Sequence, residues 1–191
     1  MLLIGIYPLV AFDNVTLFLH VNSWHHPWLD AFFFFITFLG STASYVLLLV
    51  VLLALRSDMR TLLAGVGSFT AMSIIVQVMK RLLFADQLRP IMLIPTDTPL
   101  YLVEGAIPQT HFSFPSGHAG TIFTAICIIH IFTNKKSVWL SLFLCLLAVA
   151  VAYSRIYLCQ HFYRDVYVGA WIGICTTFLV SSVLMNWKGP D

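Results

Sequence analysis

The sequence predicts an all-α polytopic membrane bundle of about six transmembrane helices, preceded by a segment lying at the membrane interface. Three observations predict it. The 191 residues are 60% hydrophobic and only 9% charged, where a soluble domain carries about 25% charged residues. The apolar residues fall in runs close to the length a bilayer core requires, about 20 residues per helix. Charged residues and prolines gather between those runs. A single domain, residues 1–191, accommodates this pattern. A net charge of +2 from dispersed basic residues leaves no footprint for nucleic acid. The bilayer is the partner the composition implies.

Each element follows in order. Residues 1–26 are apolar but interrupted by Asp13, Asn14, His20, Asn22, His25 and His26, which fits an interfacial amphipathic segment better than a span. Met1 to Phe12 has no basic flank and no A-x-A site follows it, so a cleaved signal peptide is not expected. Trp24 and Trp28 read as interface anchors. His25 and His26 are adjacent, so on a helix they point to different faces. No acid or cysteine stands near them, and metal binding is not expected there.

Pro27 to Leu55 is apolar apart from Asp30 and too long for one crossing, so it divides into two short helices near Gly40. Phe32 to Phe35 would face lipid or core. Arg56 to Arg60 is a short charged loop, and Thr61 to Met79 is an uncharged span ending at Lys80 and Arg81. Residues 84–113 form the longest polar loop, with Pro90, Pro95, Pro99 and Pro108. Phe114 to Thr133, Ser137 to Tyr153 and Val166 to Trp187 are further spans, so the bundle occupies residues 28–187. Cys127, Cys145, Cys159 and Cys175 form no CxxC pair and read as small packing residues.

Span parity then places chemistry. The loops at 56–60 and 134–136 share one membrane side. Residues 80–90, 115–118 and 154–165 share the other. Arg56, Arg60, Lys135, Lys136 and Lys188 lie on the first side, and Lys80, Arg81, Arg89, Arg155 and Arg164 on the second. The positive-inside rule ties at five each. If the second set builds a site, the first side is cytoplasmic and the site faces outward.

Taken alone, Ser154 to Asp165 reads either as a charged membrane boundary or as part of a site. His161 and Asp165 are four apart, which on a helix puts them on one face about a turn apart. The carboxylate can hold one imidazole nitrogen as N–H and leave the other free as nucleophile or base. Parity brings to the same face Lys80, Arg89, Arg155 and the helix start Pro115-Ser116-Gly117-His118. Cations around a helix N-terminus suit phosphate. Gly117 permits close backbone approach. His161 could then attack phosphorus while His118 protonates the leaving oxygen and later activates water. The acids are scattered, so neither a metal site nor a cofactor is expected. His130, in mid-span, reads as a packed core residue, and His111 as a candidate substrate contact.

These residues resemble the type 2 phosphatidic acid phosphatase superfamily, the lipid phosphate phosphatases related to vanadium haloperoxidases, whose motifs are K-x6-RP, PSGH and SR-x5-H-x3-D. Pro115 to His118 matches the second motif, and Ser154-Arg155 through His161 to Asp165 matches every fixed position of the third. In the first motif Arg89-Pro90 is present, but Leu82 stands at the lysine position. Lys80 lies two residues early, with Arg81 as the other candidate. The resemblance implies His161 as nucleophile, Asp165 as its partner and His118 as acid. It also implies that Lys80, Arg89, Ser116, Gly117 and Arg155 bind phosphate, within a six-helix membrane bundle. It implies a lipid phosphatase of a bacterial inner membrane, acting at the outer face on substrate entering from the bilayer. Undecaprenyl diphosphate or phosphatidylglycerol phosphate is preferred over phosphatidic acid or lipid A phosphates. A lipid-to-lipid phosphotransferase and a non-enzymatic anion transporter are the alternatives.

Overall fold

Polar caps decide where the apolar runs become helices. The computed structural model describes residues 5–55, 57–132 and 137–186. The cations Arg56, Lys135, Lys136 and Lys188 used for the sidedness argument, and Trp187, lie outside the described residues. Helices α1 (Ile6–Ala11) and α2 (Asn14–Ser23) form the N-terminal segment. Asp13 caps α2, its carboxylate accepting from the backbone N–H of Val15 at 2.9 Å and of Thr16 at 3.2 Å. Phe18 of α2 is fully buried and meets Phe162 edge-to-face at 5.6 Å, so this segment packs onto the bundle.

The run from Pro27 breaks as expected. Helix α3 (Pro27–Ile36) passes through a 3₁₀ turn, Thr37–Gly40, into α4 (Thr42–Ala54), and the two halves are bent by 59°. Ser41 caps α4, accepting from Ser44 N–H at 3.1 Å. Asp30 is tolerated in this apolar run because the hydroxyls of Tyr101 and Tyr157 both donate to it. In Phe32 to Phe35, Phe33 is core and the other three are exposed.

Helix α5 (Met59–Val78) is capped by Asp58 and continues into a π-helical turn, Met79–Leu83. The 84–113 loop contains only the short α6 (Pro90–Leu93) among its described helices. Then come α7 (Gly117–Phe132), α8 (Val138–Tyr157) and α9 (Tyr163–Asn186). By length and apolarity, three described helices suffice to cross a membrane, or four if the bent pair is one crossing. Gly117–Phe132 is a shorter apolar helix, so six spans are not reached on this count. The expectation for His130 is corrected: it is exposed on the outside of α7, with its Nδ1 3.2 Å from the Ser141 hydroxyl of α8.

Helices α5, α7 and α9 pack most extensively, and α7 and α9 most of all. The reason is a line of small residues at four-residue spacing on each helix. Gly169 and Gly173 of α9 lie against Ser116, Gly120 and Thr124 at and after the start of α7. A Cβ on Gly169 would stand 2.3 Å from the Ser116 carbonyl oxygen, and one on Gly173 2.4 Å from that of Gly120. Within lipid, where apolar burial gives helices no preference for each other over hydrocarbon, such close backbone packing drives association. Gly173→Ala should therefore cost about 1–3 kcal/mol through overpacking, read as a lower unfolding temperature in detergent. Gly67→Ala, whose Cβ would meet only the Val180 side chain, at 3.1 Å, should cost distinctly less. Equal effects would show that the α7–α9 seam is not the tight contact.

Candidate active site

The polar stretch after α8 turns sharply because its backbone folds back on Arg155. The N–H groups of Gln160 and His161 both donate to the Arg155 carbonyl, at 2.9 and 3.1 Å. Cys159 makes the reversal with a left-handed φ of 56°. His161 therefore precedes α9, and Asp165 sits in that helix's first turn. On one continuous helix the four-residue spacing would put both on one face. The structure corrects the route but keeps the proximity, with His161 Nδ1 3.5 Å from Asp165 Oδ2.

Asp165 is the junction of the site. Its Oδ2 accepts from the Ser113 hydroxyl and, at 3.1 Å, from Phe162 N–H. Its backbone carbonyl accepts from Ser116 N–H at 2.9 Å. Both Asp165 and Ser116 are fully buried. One residue thus joins the α9 start, the α7 start and the end of the long loop. Burial pushes the pKa of the His161 imidazole down to about 3, against the pull of Asp165, so the ring is neutral near pH 7.

The cations come from three other elements. In the π turn, Phe84 N–H donates to the Met79 carbonyl at 2.8 Å, five residues back. This wide turn rephases the end of α5. Lys80 Nζ reaches the Phe112 carbonyl at 3.0 Å and lines the central cavity. Arg81 instead bonds Gln77 Oε1 at 3.1 Å, and its guanidinium lies 5.7 Å from the Phe112 ring centre. Arg89 Nε donates to the His111 carbonyl at 3.0 Å, and its Nη1 to the carbonyl and side-chain oxygen of Gln160. Arg155 Nη1 donates to Thr37 Oγ1 at 2.7 Å, at the break between α3 and α4.

Lys80, Arg89, Gly117, His118, Arg155 and His161 line one cavity of about 260 Å³. Among the described residues, no aspartate or glutamate lines it. Asp165 stands behind His161. Ser116 is fully buried and is not among the lining residues; its hydroxyl is 3.5 Å from Ala119 N–H at the α7 start. His111 contributes its backbone carbonyl to Arg89, while its exposed ring pairs with Thr110. Among the described residues, no group of three His, Cys, Asp or Glu side chains could hold a metal ion. Reading the sequence missed Ser113, Thr37 and Gln160. Each is an ordinary polar residue whose partner is remote in sequence, so no local pattern marks it.

Comparison with known proteins gives a consistent picture. The model of the PAP2 superfamily matches residues 61–188. An undecaprenyl-diphosphatase from Sulfolobus acidocaldarius is 30% identical over 177 residues, covering 93% of this chain and 80% of that one. The crystal structure of Aquifex aeolicus LpxE matches with a TM-score of 0.77 and 28% identity, over 90% of this chain and 97% of that one. The transmembrane PAP2 type phosphatidylglycerolphosphate phosphatase from Bacillus subtilis shares the fold, with a TM-score of 0.73 at 24% identity over 100% of this chain and 95% of that one. With its second and third motifs intact around one cavity, the chain belongs to the PAP2 superfamily and is a membrane lipid phosphatase.

Proposed function

We propose that the protein hydrolyses the phosphomonoester or diphosphate of a membrane lipid through a phosphohistidine at His161, without a metal ion. The supporting observation is the convergence of Lys80, Arg89, Arg155, His118 and His161 on one cavity, with Asp165 behind the imidazole. Because Nδ1 faces the carboxylate, Nε2 is the nitrogen that attacks phosphorus. The Nε2–P bond forms as the bond from phosphorus to the lipid-side oxygen breaks, and protonated His118 gives its proton to that oxygen. A water then loses a proton to His118 and attacks phosphorus, which releases phosphate and restores neutral His161.

The three cations and the open helix start at Gly117 carry the charge on the phosphoryl oxygens, the main demand of phosphoryl transfer. Ser116 holds that start in place, since its own N–H is committed to Asp165.

A polyprenyl diphosphate of the undecaprenyl type is the first substrate class to test, because the relative of that name aligns along 93% of this chain. Phosphatidylglycerol phosphate and phosphatidic acid follow. We place the enzyme in the bacterial inner membrane with the site on the outer face, which is the side opposite Arg60 by span parity.

The purified enzyme in EDTA, offered a panel of these lipids, should release inorganic phosphate, and His161→Ala should lose at least about 10³-fold in rate. Hydrolysis only after metal is added would refute the mechanism. Label passing to a second lipid in place of phosphate would identify a phosphotransferase. Lys80→Ala should lose about 10²–10³-fold, whereas Arg81→Ala should stay within about threefold of the native enzyme. The reverse order would assign the phosphate-binding role to Arg81.

A further inference from the structure

We propose that Gln160, at one of the five unspecified positions between Arg155 and His161, is a positioning residue that aims the Arg89 guanidinium at the bound phosphoryl group. This inference rests on the function proposed above. Gln160 is 6% exposed and is absent from the residues lining the cavity, so it acts through another group. Its side-chain oxygen accepts from Arg89 Nη1 at 3.1 Å, and its backbone carbonyl accepts from the same nitrogen at 3.0 Å. Its amide nitrogen donates to the Ile107 carbonyl at 3.1 Å. The amide therefore has one favourable orientation, with oxygen toward the cation and NH₂ toward a carbonyl.

With Nε on His111, two of the three guanidinium nitrogens are committed. Nη2 has no protein partner among the described residues and is left for an anion. A planar guanidinium held at two nitrogens has its remaining donors fixed in direction. Gln160 also immediately precedes His161, and its backbone N–H bonds the Arg155 carbonyl. It therefore fixes Arg89 relative to the nucleophile and to the second arginine at once. No hydrocarbon side chain can do this. Removing the amide strips Nη1 of one acceptor and leaves the Ile107 carbonyl without its donor.

The test uses the full-length enzyme and orthovanadate, a phosphoryl mimic whose binding is measured by calorimetry alongside lipid turnover. Gln160→Met should weaken orthovanadate binding and lower kcat/KM, each by about 10–100-fold. In an Arg89→Lys background the same substitution should cost less than about threefold, because the group it aims is gone. Gln160→Glu keeps an acceptor for Arg89 but places a negative charge behind it. It should raise KM and the orthovanadate dissociation constant by about tenfold or more while changing kcat less. Native-like orthovanadate binding in either variant, or an equal loss from Gln160→Met in both backgrounds, would overturn the proposal. If Gln160→Met fails to fold, Gln160→Glu decides alone. If the native enzyme releases phosphate from no lipid, the functional reading fails, and orthovanadate binding still tests Gln160.

Discussion

The contact on which the rest depends is that between the start of α9 and the start of α7. At Gly169 the helices approach so closely that the Ser116 carbonyl occupies the place a Cβ would take. One turn earlier on α9, the Asp165 carbonyl accepts from Ser116 N–H. These two contacts put the third motif against the second. The catalytic geometry is thus a consequence of helix packing in a solvent that offers no hydrophobic drive between helices. Small residues let two backbones touch, and the Asp165 side chain at that point turns the touch into an orientation for His161. Ser113 and Phe162 supply donors to the same carboxylate, which is why a fully buried charge is sustained there.

Electrostatics then explain why the cavity suits phosphate. Among the described residues, three cations line it and no carboxylate does. Each cation is tethered by groups from a distant part of the chain: Lys80 by the Phe112 carbonyl, Arg89 by His111 and Gln160, Arg155 by Thr37. A tether of this kind lowers the reorganisation needed when an anion arrives, which is the main lever of electrostatic catalysis. It also shows why the long polar loop and the bend between α3 and α4 matter. The loop brings the carbonyls of Phe112 and His111, and the break between α3 and α4 brings Thr37.

Much of this was legible in the sequence. The apolar runs marked the helices, although only three of the described ones, or four with the bent pair, are long and apolar enough to cross a membrane. Lys80, Arg89, Gly117, His118, Arg155 and His161, grouped on one face by parity, line one cavity. The break at Gly40 was visible because the run was too long for one crossing. Other features had no local signature. The four-residue spacing of His161 and Asp165 suggested a shared helical face, but left-handed Cys159 and the backbone bonds to Arg155 make a turn there. Lys80 lies two residues before the expected lysine position, inside a π turn over Met79–Leu83 that no local sequence pattern marks. His130 sat mid-span and read as core, yet in a bilayer the outside of a bundle is as apolar as the inside, so hydropathy cannot separate the two. The small-residue seam was hidden for the same reason: glycine at four-residue spacing is inconspicuous in a chain that is 60% hydrophobic.

The most direct test of the central claim is to trap the covalent intermediate. His118→Ala should slow water's attack more than the first transfer, so a lipid labelled with ³²P at its terminal phosphoryl group should leave label on the protein after a rapid quench. The account predicts an acid-labile, base-stable phosphoryl group on His161, absent from the His161→Ala/His118→Ala double variant. Label on another residue, or turnover with no label on the protein at any quench time, would contradict it.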